Sequence, residues 1–410
     1  MQNPAATPPP VAPQMRVLWL IPTVYFVFVA AEFGALTYLA LSATEAGASA
    51  FQVGWLATAM WVGILCSSAS AHRVSQQLGF VRTFVVGSGL AFGSVAGFNV
   101  TEVYAWWVAG AFVLGLGGGL VWVVGESWLA EAAPPDQRGL YVGWFEAAVG
   151  LGLMAGPLMI PLANALGWHP LALATGVMGA GLLSSLLLVG QRRGGPHRHT
   201  GSAPDSPPMP WKAVAYPLLV VSVLSGIMES GVSSLMPSLS MRLGYSLELA
   251  ALLGTVIGAG SALLQPPAGH LADRWGAPRL ILWSWGVLVV TSVALLAVAD
   301  EPGQLLWVVG FVLGGVGGAI YTLSIVEMGR RLQGGALVKA ISALVISYSV
   351  GTACAPMVGG MVFDHWGMPG FAGAFVVLCA VGMTFSARQA WRTHRASVER
   401  PRPPGHIGPQ

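Results

Sequence analysis

Twelve apolar stretches, each long enough to cross a lipid bilayer, follow one another along this chain with only short gaps. A spanning helix needs about 20 mostly apolar residues. Stretches of that kind fall at 17–41, 52–71, 82–99, 105–128, 139–163 and 170–190, and again at 213–240, 247–268, 279–299, 304–327, 336–362 and 369–390. Inside hydrocarbon a backbone N–H or C=O has no water to bond, so a continuous apolar run becomes a helix. The fold class expected is an all-α membrane protein, with twelve transmembrane helices in two six-helix bundles. Only 9% of the residues are charged, against about 25% in a soluble domain. The 55 glycines suit close helix packing in lipid, and the 16 tryptophans suit the two interfaces.

The stretches divide the chain into a Pro- and Ala-rich lead-in at 1–15, a first bundle at 16–190, a linker at 191–212, a second bundle at 213–390 and a basic, Pro-rich tail at 391–410. The lead-in has neither a basic start nor a short apolar core, so it does not read as a cleaved signal. Lead-in and tail are both expected to be disordered, and the linker carries Arg192, Arg193 and Arg198 without an apolar run.

Lys and Arg mark the side on which loops stay. With both termini in the cytoplasm, 18 of the 19 basic residues fall on the inner side, leaving Arg242 outside. The outer loops carry Glu45, Glu102, Glu248, Asp300, Glu301 and Asp364 instead. An odd number of helices would destroy this asymmetry. The expected place is a bacterial inner membrane, crossed many times, with both termini cytoplasmic. The basic residues stand singly in short loops rather than on one face, which argues against nucleic-acid binding.

The two halves repeat. Gly269-His-Leu-Ala-Asp273-Arg274-Trp-Gly276-Ala-Pro-Arg279 follows the eighth stretch, and at a step of 197 His72-Arg-Val-Ser-Gln76-Gln-Leu-Gly79-Phe-Val-Arg82 follows the second. Gly152-Leu-Met-Ala-Gly156-Pro157 returns as Gly351-Thr-Ala-Cys-Ala355-Pro356, and Gly115 to Gly119 returns as Gly315 to Ala319. Parallel six-helix repeats with a cavity between them are a transporter architecture.

These residues resemble the major facilitator superfamily, whose loop signature G-x-L-A-D-R-x-G-x-x-R is close to Gly269–Arg279. Phe51-Gln-Val-Gly54, Val123-Val-Gly-Glu126-Ser127 and Ser347-Tyr-Ser-Val-Gly351 are similar to its bacterial YcaD-like branch. The resemblance implies a secondary transporter in which Asp273, Arg274 and Arg279, together with Gly269 and Gly276 of the same loop, act as a cytoplasmic latch. The first copy departs from the signature, with Gln76 in place of the acid and His72 in place of the first Gly, so the second copy is expected to dominate, with Arg138 or Glu131 supporting the first. Gly150, Gly152, Gly156 and Pro157 are a fragment of a signature associated with antiporters. With Pro356 they also suit helix bending and close packing.

Acids within the apolar stretches are the candidate site. An ionisable group in hydrocarbon is paired, neutralised or facing a wet cavity. Glu32 follows Arg16 by sixteen residues and Glu229 follows Lys212 by seventeen. At 1.5 Å per residue both lie about 24–26 Å from those anchors. They are 197 residues apart, the step of the loop repeat, and so occupy equivalent places in the first and seventh helices. Three roles stay open: proton exchange from a shared cavity, a hydrogen-bonded contact between helices, or contact with a cationic solute. Glu146 is a third proton-relay candidate. Glu126 and Glu327 lie near the inner helix ends, where Arg138 and Arg330 or Arg331 are the expected partners.

Other features are softer. Tyr25, Tyr38, Trp61, Trp122, Trp144, Tyr321 and Tyr348 are candidates to line a cavity for an amphipathic solute. Met154, Met159, Met228, Met236, Met241, Met357 and Met361 raise a path for a soft metal such as copper, although methionine is ordinary filling in apolar helices. Cys66, Cys354 and Cys379 read as buried packing residues. No resident metal, cofactor or enzyme chemistry is expected, and no nucleotide-binding loop of the GxxxxGK[ST] type occurs. The expected function is proton-coupled secondary transport of a small solute by a monomer, with export of an amphipathic or drug-like compound ahead of uptake of a metabolite. A sensor or assembly factor on the same scaffold is the reading from another class.

Overall fold

The computed structural model describes residues 15–132, 138–189, 215–297, 303–332 and 334–398. They form eleven α-helices: α1 (Met15–Glu45), α2 (Ala50–Leu78), α3 (Phe80–Gly97), α4 (Tyr104–Ala132), α5 (Arg138–Ala165), α6 (Pro170–Leu186), α7 (Tyr216–Arg242), α8 (Leu247–Trp275), α9 (Ala277–Ala297), α10 (Gln304–Arg331) and α11 (Gly334–Val398). Ten of these are long and apolar enough to cross a membrane. The longest, α11, is bent at Gly367, where φ is 62°, so that its arms at 334–366 and 368–398 cross separately. With the shorter α6, the described helices supply twelve passes of an all-α, multi-pass membrane protein.

Local chemistry fixes several ends, and fixes them twice. Ser49 and its mate Gln52 form a capping box at the start of α2, and Ser246 caps α8 by accepting from Leu249 N. At the other ends of these helices a single glycine turns the chain, Gly79 at φ 80° and Gly276 at φ 83°. A side chain there would be strained, which is why glycine stands at both.

The packing repeats too. Gly63 of α2 sits against the backbone of α4 at Phe112 and Gly115, while Gly260 of α8 sits against α10 at Phe311 and Gly315. In each half the first helix packs mainly on the later ones of its own bundle, α1 on α5 and α6 and α7 on α11 and α10, and the bundles meet along two seams, α2 with α11 and α5 with α8. One face of the molecule is basic, with Arg16, Arg82, Arg274 and Arg330 near the helix ends. The opposite face carries Glu45, Glu102, Glu248 and Asp364.

Three expectations need correction. Most helices run several residues past the apolar stretches, because their polar ends remain hydrogen-bonded beyond the hydrocarbon limit. The tail beginning at 391 is helical as far as Val398, as a continuation of α11. Cys66 and Cys354 are exposed, and among the three cysteines only Cys379 is buried. The linker at 191–212 and residues 1–14 lie outside the described residues.

Candidate functional site: a cavity between the halves

Glu32 of α1 and Glu229 of α7 line one central cavity of about 80 Å³, together with residues from α2, α4, α5, α8, α10 and α11. An engineered apolar cavity of about 150 Å³ holds a benzene, so this state takes a small occupant, and a bulky one requires the halves to part. The described lining includes no Lys, Arg or His, and none of the methionines considered for a metal path.

The carboxyls sit in matching but unequal surroundings. Gly118 of α4 lies against Glu32: a Cβ there would stand 2.9 Å from its Oε1. Gly318 of α10 lies against Glu229 in the same way, at 3.2 Å from its Oε1. A methyl group at 118 would press the Glu32 carboxyl aside, and one at 318 would meet the Gln265 amide before it met Glu229. Glu229 Oε2 accepts a 2.7 Å hydrogen bond from the Tyr348 hydroxyl of α11. Glu32 is 4% exposed, and its Oε1 has no partner among the described residues.

Aromatic and polar groups complete the walls. Tyr25, Trp61, Trp122, Tyr321 and Tyr348 all line the cavity. Tyr25 stacks on Phe145 with centroids 4.3 Å apart, and Tyr321 lies 4.4 Å from Tyr348. Tyr38 stands elsewhere, 3.1 Å from His169 Nε2 in an open vestibule at the acidic face, and Trp144 is exposed. Sequence reasoning missed Gln265, which donates to Ser261 Oγ at 2.6 Å and accepts from Thr322 at 3.2 Å. Its signal was available: an amide within an apolar span needs partners.

The acidic-face side of the cavity is closed by contacts between the halves. Asp364, at the end of the first arm of α11, accepts from Ala50 N and Phe51 N, both at 2.8 Å, and so caps α2 from the other half. Arg242 donates to Ala48 O at 2.6 Å and lies 5.6 Å from the Phe363 ring centroid. On the second seam Asn164 Nδ2 donates to Glu248 Oε1 at 3.1 Å. Gly54 and Gly360 let α2 and α11 meet backbone to backbone along this stretch, and Gly258 does the same for α8 and α5.

The remaining candidates are dispersed. Gly152 and Gly156 pack α5 on α1, Pro157 meets Gly254 of α8, and Pro356 O lies under Gly54. Arg274 and Arg279 are exposed at the basic face, Gly269 has open space around it, and the Asp273 side chain lies outside the described residues. The Glu146 side chain lies outside them as well, as does that of Arg138, the expected partner of the half-buried Glu126. Glu327 is paired with Arg331 one turn on, and Arg330 donates to Ala272 O at 3.0 Å, capping the last turn of α8.

Comparison with known proteins agrees with this architecture. The sequence profile of the Major Facilitator Superfamily matches residues 23–261 and 218–406. The Uncharacterized MFS-type transporter YcaD of Salmonella enteritidis PT4 is 25% identical over 334 residues, 80% of this chain and 84% of its own. Its counterpart in Salmonella typhimurium is 24% identical over the same length. Among solved structures, a D-xylose-proton symporter superposes with a TM-score of 0.73 at 15% identity, covering 90% of this chain and 97% of its own. A bacterial homolog of the human lysosomal transporter Spinster, inward-facing and occupied, gives 0.72 at 15% identity, covering 94% and 98%. At such identities the likeness is one of fold. With the profile spanning most of the sequence, the chain belongs to the major facilitator superfamily and is a secondary transporter similar to the YcaD branch.

Proposed function

We propose that this protein couples proton movement to the transport of a small solute by alternating access, with Glu32 and Glu229 as the groups that exchange protons. One observation carries the reading: two carboxyls at repeat-related positions open into the same cavity, with no described basic side chain lining it. A buried acid without a counter-ion holds its charge only conditionally, so arrival of solute or opening to water can change its protonation. The capping and packing contacts at the acidic face describe a state closed on that side. Rocking the halves about the α2–α11 and α5–α8 seams would break those contacts and expose the cavity to the other side.

The basic face is taken as cytoplasmic, in the inner membrane of a bacterium, by the charge asymmetry of the loops. Outward movement of solute against inward protons is the direction supported by the antiporter-like fragment Gly150, Gly152, Gly156 and Pro157. The protein works as a monomer in this reading, and Asp273, Arg274 and Arg279 serve as the latch when the basic face closes. The test is counterflow of labelled solutes in proteoliposomes, with and without a pH gradient. Gradient-driven accumulation by the wild type, lost in Glu32→Gln and Glu229→Gln, is expected. Full gradient-driven accumulation in both variants would dismiss the proton role.

A further inference from the structure

Two side chains that line the central cavity each carry a buried polar atom without a hydrogen-bond partner among the described residues, and the two atoms are of opposite kinds. Glu32 Oε1 is one and Trp61 Nε1 is the other. Trp61 is 8% exposed, so bulk water does not satisfy its indole. An indole N–H can only donate, whereas a carboxyl oxygen accepts. Leaving either unpaired is unfavourable, and an occupant toward which both side chains turn, so that it meets both atoms, removes the penalty.

The other wall is different. Glu229 is held by Tyr348, the Tyr348 ring lies against Tyr321, and Gln265 is engaged by Ser261 and Thr322. It needs nothing from a solute.

We infer that the halves divide the work: Glu32 and Trp61 hold the solute, Glu32 giving up its proton as the solute docks, while Glu229, supported by Tyr348, exchanges its proton with water without touching the solute. This rests on the transport reading above and deepens it. The solute then brings a donor for Glu32 and, elsewhere on the same small molecule, an acceptor for the Trp61 N–H. It bears no anionic group, because the described lining offers carboxyls and no basic side chain. The aromatic walls, Tyr25 and Trp122 among them, favour an ammonium over an uncharged donor. A small amino alcohol has this combination. The titratable groups around Glu229 are Tyr348 of α11, Tyr321 of α10, and Glu32 and Tyr25 of α1 across the cavity; α8 contributes only Gln265 and Ser261. Its proton therefore leaves to water, and a proton from water replaces it before the cycle closes.

The experiment is thermal unfolding of the nanodisc-embedded protein with four probes of nearly one skeleton and no pH gradient. The probes are 1-amino-2-propanol, isobutylamine (hydroxyl replaced by methyl), 2-butanol (amine replaced by methyl) and lactate (an anionic group in place of the amine arm). At near-saturating millimolar concentration the amino alcohol should raise the unfolding temperature of the wild type by about 2 °C. The single-function probes should give less than half of that, and lactate none. The rise should vanish in Glu32→Gln and Trp61→Phe and persist in Glu229→Gln. Where Glu32→Gln lowers the resting unfolding temperature, Gly118→Ala, which only crowds the carboxyl, should abolish the rise instead. No response to the amino alcohol, an equal response to isobutylamine or 2-butanol, or loss of the response in Glu229→Gln overturns the inference. Such a failure leaves gradient-driven transport through the two acids standing, whereas loss of proton dependence in liposomes would not alter these binding results.

Discussion

Tyr348 reaches from α11 to donate its hydroxyl to Glu229 on α7, at 2.7 Å, inside the second bundle. That bond joins the acid to the helix that also forms the α2 seam, so a change in the carboxyl is felt where the halves meet. A hydrogen bond to a carboxylate is worth about 1.5–3 kcal/mol. Tyr348→Phe keeps the ring against Tyr321 and removes only the donor. Coupled transport should fall by about tenfold or more, read as initial gradient-driven flux in proteoliposomes, and an unchanged flux would show that the bond is incidental.

Gly118 and Gly89 make a controlled pair. A Cβ at position 118 would press on Glu32 Oε1 at 2.9 Å, whereas position 89 has nothing within 4 Å. Gly89→Ala should leave transport intact and stabilise α3 by roughly 0.5–1 kcal/mol, the usual gain of alanine over glycine within a helix. Gly118→Ala should fold and reach the membrane yet lose transport. Equal activity in the two variants would show that the carboxyl has room to move.

Asp364 tests the closure at the acidic face. Asp364→Asn removes the charge from a carboxylate that receives two backbone N–H groups of α2 across the seam. Charge-assisted bonds are roughly twice as strong as neutral ones, so the closed state should lose about 1–2 kcal/mol relative to the open one. Labelling of a cysteine placed at Ala57, within the barrier between cavity and acidic face, should quicken by about tenfold, in line with that population shift. Labelling at the wild-type rate would mean that the cap does not govern opening.

Arg331 and Glu327 form an ion pair within α10, and Glu327 is buried. Arg331→Ala leaves that acid without its partner and should cost about 1–3 kcal/mol, seen as a lower unfolding temperature. Glu327→Gln, which removes the charge rather than stranding it, should cost less. The order of the two variants is the readout, and a reversed order would place the stabilisation in the solvated arginine.

Much of this was legible in the sequence because lipid punishes polarity. Apolar runs of helical length set the passes, and the step of 197 between Glu32 and Glu229 matches that of the loop repeat, so register alone pairs the two acids. Trp61 was one aromatic among many, and only its buried, unpartnered nitrogen distinguishes it. Asp364, Arg242 and Asn164 are ordinary polar residues at helix ends, and nothing local says that they grip the opposite half. Their meaning is tertiary. Helix ends were read short for a related reason: a hydropathy ruler stops at the hydrocarbon edge, whereas α2 and α8 continue to the glycines at 79 and 276.

The central claim is that Glu32 and Glu229 share a water-reachable cavity and change protonation there. Difference infrared spectroscopy of the reconstituted protein across a pH titration, in H2O and in D2O, reads this without any solute. Two protonated-carboxyl bands should respond to pH and shift in D2O, one disappearing in Glu32→Gln and the other in Glu229→Gln. Bands that neither titrate nor exchange deuterium, or that survive in both variants, would contradict the account.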